Sequence, residues 1–356
     1  MHTLKWLIAV SVVGLVSLTH SAAQPPKPVG TLFVAANGND KNPGTQARPF
    51  QHIQRAVSTA NPGDVICVDN GAYNEHITFK KSGNAAGWIT LRPLNLVDVQ
   101  QAKPLVTIAP RGGGHAIHLA GQSYIRIEGL EISGALWGIG GEGGNHTVVT
   151  NNLVHDTGAS GIQLNKGDYR TITKNLVHDC AKMWKGNGSG ISIYTPTAFD
   201  NAPGFHNVIA QNVAYNNSNP EGGSDGNGII FDDGKHSHGD KLAYTPASLI
   251  ENNLAYSNGG AGIHVFKSIN VTVRNNTTYW NRQLNNKSTW RGDLSNMYSD
   301  DIVWVNNIGW ANTGFNKYNT ALNRHNGAAR ELEDVRALWE APTRVALLLK
   351  GVSCCQ

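Results

Sequence analysis

The sequence predicts an all-β protein with a single domain, a parallel β-helix built from stacked copies of a short unit. Three observations support this prediction: a repeat whose shortest copies are 23 residues apart, 40 glycines among 356 residues, and short apolar segments separated by Gly and Asn turns. A unit this short cannot bury its own apolar face, so it must stack on its neighbours, strand over strand at about 4.8 Å. The copies would account for about 8 to 10 turns.

Each copy of the repeat has two parts. The first is a strand that begins with Gly-Ile or a close variant, and the second is a strand that ends in Asn and a small apolar pair. The recurring Asn predicts an internal ladder of stacked amides. Leucine-rich repeats have a similar length but need a Leu-x-x-Leu-x-Leu frame, which is missing here. The first parts are 116–119, 161–164, 190–193, 228–231 and 262–265, and the second parts are 148–154, 172–177, 208–214, 249–255, 271–277 and 302–307.

Both ends of the coil are predicted to be capped. An amphipathic helix at 49–60 would protect the N-terminal end against edge pairing. We expect the coil to occupy residues 24–320, and residues 321–356 to form a C-terminal cap segment with a helix at 328–340.

Residues 1–23 are typical of a secretory signal peptide. Lys5 precedes an apolar run, and Ser21-Ala22-Ala23 supplies the small residues that a signal peptidase needs. No later stretch approaches the roughly 20 apolar residues that span a bilayer. We therefore expect a secreted or periplasmic protein, cleaved before Gln24, that has no membrane partner.

Charge and cysteine content narrow the function classes. The formal net charge is +4 without basic runs, which argues against a nucleic-acid partner and tolerates a polyanionic substrate. We expect a monomer. The cysteines lack metal-binding spacing and are interpreted as structural or buried. They are Cys67, Cys180, Cys354 and Cys355.

Five connections exceed the length that stacking requires, namely 180–189, 195–206, 216–227, 234–247 and 281–295. Loops on one flank of a rigid coil form a groove. Aromatic rings with cations between them suit a polymer of sugar acids, because rings stack on pyranoses and cations pair with carboxylates. The candidate substrate-binding residues are Lys166, Trp184, Tyr194, Lys235, His236, His238 and Trp290.

Aligning the Gly-Ile strands predicts stacked columns of side chains at the ends of these strands. Asp233 and Lys267 would be neighbours one strand spacing apart, close enough to shift each other's titration. An exposed cross-strand ion pair without chemistry is the alternative interpretation. One column contains Gly121, Lys166, Thr195, Asp233 and Lys267, the next contains Ala120, Asn165, Tyr194, Asp232 and Phe266, and His118 shares an outward column with His264.

Segments near the N-terminus, followed by the repeats to about residue 310, resemble the right-handed β-helix superfamily of pectate-lyase-like proteins. The resemblance covers most of the mature chain and implies a right-handed coil. The segments are Phe33-Val34-Ala35, Asn39-Asp40, Gly44-Thr45, Pro49-Phe50, Ile53-Gln54, Ala56-Val57, Pro62-Gly63-Asp64 and Gly71-Ala72-Tyr73.

The segment 262–268, Gly-Ile-His-Val-Phe-Lys-Ser, is similar to the strand that carries the base lysine in polysaccharide lyase family six, the chondroitinase B and alginate lyase family. The similarity implies Lys267 as catalytic base. The run 290–293, Trp-Arg-Gly-Asp, resembles the context of that family's catalytic arginine, which implies Arg291 as acid or carboxylate clamp. In family nine, the pectate lyases, the base lysine falls in the column of His264, which is therefore also a catalytic candidate.

The predicted function is β-elimination on a uronate-containing acidic polysaccharide, with Lys267 as base and Asp233 beside it. Asp225, Asp232 and Asp233 are candidate ligands for a calcium cofactor, which takes six to eight oxygens. Family six places acidic calcium ligands before the Gly-Ile strand, where this chain has Gly-Gly-Ala-Gly at 259–262. Two alternatives stay open: a glycoside hydrolase using the same three aspartates, and a non-catalytic carbohydrate-binding protein.

Overall fold

Three parallel sheets form a right-handed β-helix. The structure, a computed structural model, describes residues 32–222, 225–236, 242–284 and 292–311 and the strands 320–325 and 335–337. The sheets have 10, 9 and 10 strands, which confirms the predicted number of turns.

The first sheet contains β1 (Leu32–Val34), β2 (Val65–Val68), β5 (Ile89–Pro93), β8 (Ile125–Glu128), β11 (Thr147–Thr150), β14 (Arg170–Thr173), β17 (Phe205–Ala210), β20 (Ala247–Glu251), β23 (Ile269–Arg274) and β26 (Asp300–Val305). The second contains β4 (Ile77–Thr78), β7 (Gly112–His118), β10 (Ala135–Glu142), β13 (Ile162–Asn165), β16 (Ile191–Tyr194), β19 (Ile229–Asp232), β22 (Ile263–Phe266), β25 (Gly292–Met297) and β28 (Thr320–His325). The third contains β3 (Gly71–Tyr73), β6 (Val106–Ile108), β9 (Glu131–Ile132), β12 (Leu153–His155), β15 (Leu176–His178), β18 (Val213–Tyr215), β21 (Leu254–Tyr256), β24 (Thr277–Tyr279), β27 (Asn307–Trp310) and β29 (Val335–Ala337).

The interior of the coil is a column of branched apolar side chains. The isoleucines of the Gly-Ile strands pair with one another in register from β7 to β22. Each of them is fully buried, as expected for strands whose inward positions stack directly over one another. They are Ile117, Ile139, Ile162, Ile191, Ile229 and Ile263.

The predicted asparagine ladder is confirmed. In each step one side-chain amide donates to the amide oxygen of the next copy, at 2.9 to 3.1 Å. Every member is buried, so the ladder satisfies polar groups that would otherwise lack partners. Its members are Asn152, Asn175, Asn212, Asn253, Asn276 and Asn307.

A second ladder follows the first by five residues in three copies, and it explains why a glycine stands immediately before the neighbouring strands β16, β19 and β22. Asn217, Asn258 and Asn281 donate along this ladder, which ends on Asp293. The ladder packs against the strand that starts the next part of the repeat, so no side chain fits there. A β-carbon on the glycine that precedes each of these strands would lie 2.6 or 2.7 Å from an amide nitrogen of the ladder. The pairs are Gly190 with Asn217, Gly228 with Asn258 and Gly262 with Asn281.

The N-terminal cap is the short helix α1 (Ile53–Thr59), inside the predicted range 49–60. It buries Ile53, Ala56 and Val57 against the first turn of the coil. The Glu75 carboxylate accepts the backbone N–H groups of Ile53 and Gln54 at 2.7 and 2.9 Å, and thereby satisfies two orphan donors of the first helical turn.

The C-terminal prediction was partly wrong. Residues 335–337 lie inside the predicted helix 328–340, but they form β29 and pair with β27. The coil also continues past residue 320, because β28 pairs with β25. A stack of parallel strands exposes unpaired backbone groups at its end, and further strands satisfy them. In the part of the chain that the structure describes, no helix has the length and apolar character needed to cross a membrane.

Candidate functional site

Long connections border both edges of the second sheet. Residues 179–190 and 216–228 lead into β16 and β19, and residues 195–204 and 233–246 leave the same two strands. We interpret the outer face of the second sheet around these strands as the floor of a candidate groove; residues 223–224 and 237–241 of the connections lie outside the described residues. The predicted signal peptide, 1–23, lies outside the described residues.

The predicted register of the site column is confirmed. Asp232 pairs with Phe266, and the backbone N–H of Asp233 donates to the carbonyl of Phe266 at 2.9 Å, so Asp233 and Lys267 occupy equivalent corners on adjacent strands. The sequence alignment missed one copy, Gly138-Ile139 on β10, which inserts Gly143 between Gly121 and Lys166. The corner residues Lys166, Thr195, Asp233 and Lys267 have φ of 50, 47, 51 and 44°, the left-handed conformation that turns the chain out of the strand.

The two central side chains differ in exposure. Asp233 is only 1% exposed, so the interpretation as an exposed ion pair does not describe it. The Lys267 side chain is partly exposed, and its Nζ lies 5.2 Å from the centroid of the Phe266 ring. A cation that lies over an aromatic face is held in place without losing access to the groove.

The carboxyl groups of the site are electrostatically crowded. Burial, followed by the charges of Asp225 and Asp233, raises the pKa of Asp232 well above its usual range, while the Lys267 charge opposes the rise. Burial raises the pKa of Asp225 to about 7, against a hydrogen bond from Ser189. Burial and the charges of Asp232 and Asp233 also raise the pKa of Tyr194. The site thus contains a carboxyl group whose pKa is raised, one strand away from a lysine.

His264 lies on the outward side of β22 but is fully buried. Its ring centroid is 5.6 Å from that of Phe266. Burial, together with the charge of Arg282, lowers the pKa of His264 to about 3, so the imidazole is neutral at physiological pH. The predicted shared column with His118 is confirmed by the strand registers.

The aspartates do not support the expected calcium site. Within the described ranges, no group of three or more His, Cys, Asp or Glu side chains could hold a metal ion. Asp225 and Asp233 are buried and Asp232 is partly exposed, so they do not form an open set of oxygen ligands. Calcium at Asp225, Asp232 and Asp233 stays a prediction without structural support, and no catalytic step is derived through it.

Several predicted substrate-binding residues are engaged with the protein itself. Lys235 Nζ contacts Asp300 Oδ2 and the carbonyl of Tyr298, both at 2.6 Å. His236 is buried, with Nε2 2.6 Å from the carbonyl oxygen of Pro196, so it joins the two loops that leave β16 and β19. Lys166 Nζ pairs with Glu142 at 2.7 Å. His238, Trp290 and Arg291 lie outside the described residues.

Trp184 lies away from the acidic centre, the group of carboxyl side chains formed by Asp225, Asp232 and Asp233. Its loop folds back along the coil, since the N–H of Met183 donates to the carbonyl of Gly158 at 3.0 Å. The indole therefore packs edge-on against Trp137, with ring centroids 4.9 Å apart. This places it beside β10, three strands from β19.

A buried polar network that the sequence analysis missed holds the loops leaving β16 and β19. Asp168 is fully buried and accepts the N–H of Phe199 at 2.9 Å and the hydroxyl of Tyr244 at 2.7 Å. His206 Nδ1 lies 2.8 Å from Asp168 Oδ2, and its Nε2 lies 2.8 Å from the carbonyl oxygen of Ala202. One carboxylate thus ties both loops to the coil.

His206 is expected to make this network pH-dependent. Burial opposes protonation, but the bonds to Asp168 and Ala202 and the charges of Asp168 and Asp200 outweigh it and raise the pKa of His206. The stabilisation is complete below the ordinary histidine pKa and is lost as pH rises through the raised value. We expect His206→Asn to cost on the order of 2 kcal/mol of unfolding free energy at pH 5.5 and less at pH 8.5. Denaturant unfolding at both pH values tests this, and an equal cost at both would contradict it.

Asp293, at the end of the second ladder, makes a second pH-dependent contribution of the same sign, in a more acidic pH window. It is 1% exposed, and burial raises its pKa to about 7. Its Oδ1 accepts from Asn281, an interaction that an amide oxygen can replace. A raised carboxyl pKa means that stability falls as pH rises from about 4 to about 7. We expect Asp293→Asn to unfold at a higher temperature than wild type at pH 8 and to lose that advantage at pH 4. An advantage that does not change with pH would contradict this assignment.

Comparison with known proteins shows the family. The family model described as "Pel9A-like, right handed beta helix region" matches residues 32–219, more than half of the chain. Pectate lyase L of Paenibacillus polymyxa (strain SC2) is 26% identical over 309 residues, which cover 82% of this chain and 59% of that protein. The chain thus spans about three fifths of the length of this curated relative.

Two solved structures illustrate the likeness. XylC in complex with xylose matches with a TM-score of 0.53 at 12% identity, over 84% of this chain and 69% of that chain. Alginate lyase from Paenibacillus sp. str. FPU-7 matches with a TM-score of 0.49 at 21% identity, over 78% of this chain and 95% of that chain. The likeness to XylC shows a shared fold, and the predicted β-helix superfamily is confirmed by the family model.

Proposed function

This chain belongs to the Pel9A-like right-handed β-helix family, and on that premise we propose that it is a polysaccharide lyase cleaving a uronate-containing acidic polysaccharide by β-elimination. The observation that carries the proposal is the placement of Asp232 and Asp233 one strand from Lys267, in a groove bordered by loops on both sides. The 26% identity to a pectate lyase supports the same reaction class. We place the polymer outside the cytoplasm, because residues 1–23 are typical of a signal peptide.

In this proposal Lys267 acts in its neutral amine form, whose lone pair takes the proton beside the uronate carboxylate. As the proton moves to Nζ, a carbon–carbon double bond forms, the bond to the glycosidic oxygen breaks, and that oxygen accepts a proton. Asp232 is the proposed donor of this proton, because burial and the charges of Asp225 and Asp233 raise its pKa and so favour its protonated form, while a positive charge on Lys267 after proton transfer would favour its ionisation. Arg291 is the proposed partner of the substrate carboxylate, an assignment that rests on its sequence context alone.

The reaction class is tested by product analysis on a panel of polyuronates. Elimination yields an ultraviolet-absorbing unsaturated uronate together with new reducing ends, hydrolysis yields reducing ends alone, and a binding protein yields neither. We expect both signals to rise together. Reducing ends without the chromophore, or binding without either product, would contradict the proposal.

Hydrolysis is the second candidate, and one observation favours it. The raised pKa values of Asp225 and Asp232 beside Asp233 are of the kind that an inverting hydrolase uses, with one carboxyl protonated and another ionised. The same product analysis separates this candidate from the lyase.

A further inference from the structure

Four aromatic side chains form a cluster on the outer face of the second sheet, at β7 and β10. The rings of His118 and His115 stack with centroids 4.6 Å apart, and His115 stacks on Trp137 at 5.2 Å. Trp184 approaches Trp137 edge-on at 4.9 Å. All four rings are partly exposed, so the cluster is open to the groove.

Two local features of β7 and β10 accompany the position of these rings on the outer face of the sheet. The register between β7 and β10 shifts between Ala135 and Trp137, and such an irregularity changes the side on which a side chain emerges. A β-carbon at Gly140 would lie 2.6 Å from the Gln163 carbonyl oxygen and 3.1 Å from the His115 ring, so the glycine accommodates both the neighbouring strand and the imidazole.

The cluster lies on the same sheet face as the acidic centre, further along the coil. β13 and β16 separate β10 from β19, so three strand spacings, about 14 Å, lie between the cluster and the strand of Asp232. The strand of Lys267 is one spacing further, at about 19 Å. A polysaccharide following the groove along the coil axis would cross both places.

We infer that His115, His118, Trp137 and Trp184 form a distal subsite that binds acidic sugar residues of a polymer whose cleavage occurs near Lys267. The inference rests on the proposed function for the substrate class. Indole and imidazole surfaces suit the apolar faces of pyranose rings. The exposed Lys185, next to Trp184 in the loop, is suited to pair with a sugar carboxylate. Burial and the neighbouring His118 and His76 lower the pKa of His115 to about 4, so His115 contributes a neutral ring at physiological pH.

The subsite is tested by varying the length of the oligosaccharide. Calorimetry measures binding of uronate trisaccharides and hexasaccharides to Lys267→Ala protein, so that cleavage does not interfere. Adding Trp184→Ala is expected to weaken hexasaccharide binding about tenfold and to leave trisaccharide binding at the acidic centre unchanged. Trp137→Ala is the second variant and should have the same effect. The matched control is Trp310→Ala, which removes an indole from the outer face of the third sheet and should change neither affinity.

The outcomes separate the subsite from the reaction. Equal losses for both oligosaccharides, no loss for either, or no binding of the hexasaccharide before mutation would overturn the subsite. Length-dependent loss in a protein whose wild-type form yields no unsaturated product would support the subsite and contradict the lyase proposal. Circular dichroism of each variant verifies that the coil is intact.

Discussion

Lys267→Ala is expected to lower kcat for chromophore formation by about 10²- to 10⁴-fold, the contribution typical of a positioned general base. The oligosaccharide should still bind, because Asp232, Tyr194 and the aromatic cluster are unchanged. Initial rates on a polyuronate and calorimetric affinity for an oligosaccharide measure the two quantities separately. A large loss of affinity with kcat preserved would assign Lys267 to binding rather than to proton transfer.

Lys174→Ala is the matched control for this substitution. Lys174 is an exposed lysine with φ of 57°, so its replacement removes the same charge from the same left-handed backbone conformation. It lies between the first and third sheets, away from the groove. Turnover should stay within about twofold of wild type. If Lys174→Ala matched Lys267→Ala in its effect, general charge or backbone strain would explain both losses.

The register of the coil could be predicted because the repeat fixes it. In a stack of parallel strands, equivalent residues of successive copies lie over one another, so aligning Gly-Ile strands was enough to place Asp233 beside Lys267. The same argument predicted the ladder that contains Asn212. The second ladder had a signal as well, an Asn five residues after the first in three copies, but Cys180 occupies that position in another copy and obscures it.

Other parts of the site left no periodic signal. The copy on β10 begins with Trp137 and Gly138, and its register shift disguises it as a loop. The network around Asp168 joins residues up to 76 positions apart through loops whose paths depend on tertiary packing. The sequence did not predict that the loop of Trp184 folds back along the coil, which places the indole beside Trp137 on β10. Side chains on stacked strands were therefore predictable, and those on long connections were not.

Asn212→Ala is expected to cause the largest loss of stability, about 3–5 kcal/mol. Asn212 is 1% exposed and lies in the middle of the first ladder. Its Oδ1 accepts from the backbone and side chain of Asn175 at 3.0 Å, and its Nδ2 donates to Ile172 O and Asn253 Oδ1 at 2.9 and 3.0 Å. Alanine would remove four buried hydrogen bonds, and the Asn175 backbone N–H would lose its ladder acceptor, whereas Asn175 Nδ2 keeps Val149 O and Asn253 Oδ1 keeps the backbone N–H of residue 212. Urea unfolding measures the loss, with Asn216→Ala as control: this exposed asparagine has φ of 52°, so its replacement should cost only about 1 kcal/mol of backbone strain. Equal losses in the two variants would contradict a large contribution of the ladder to stability.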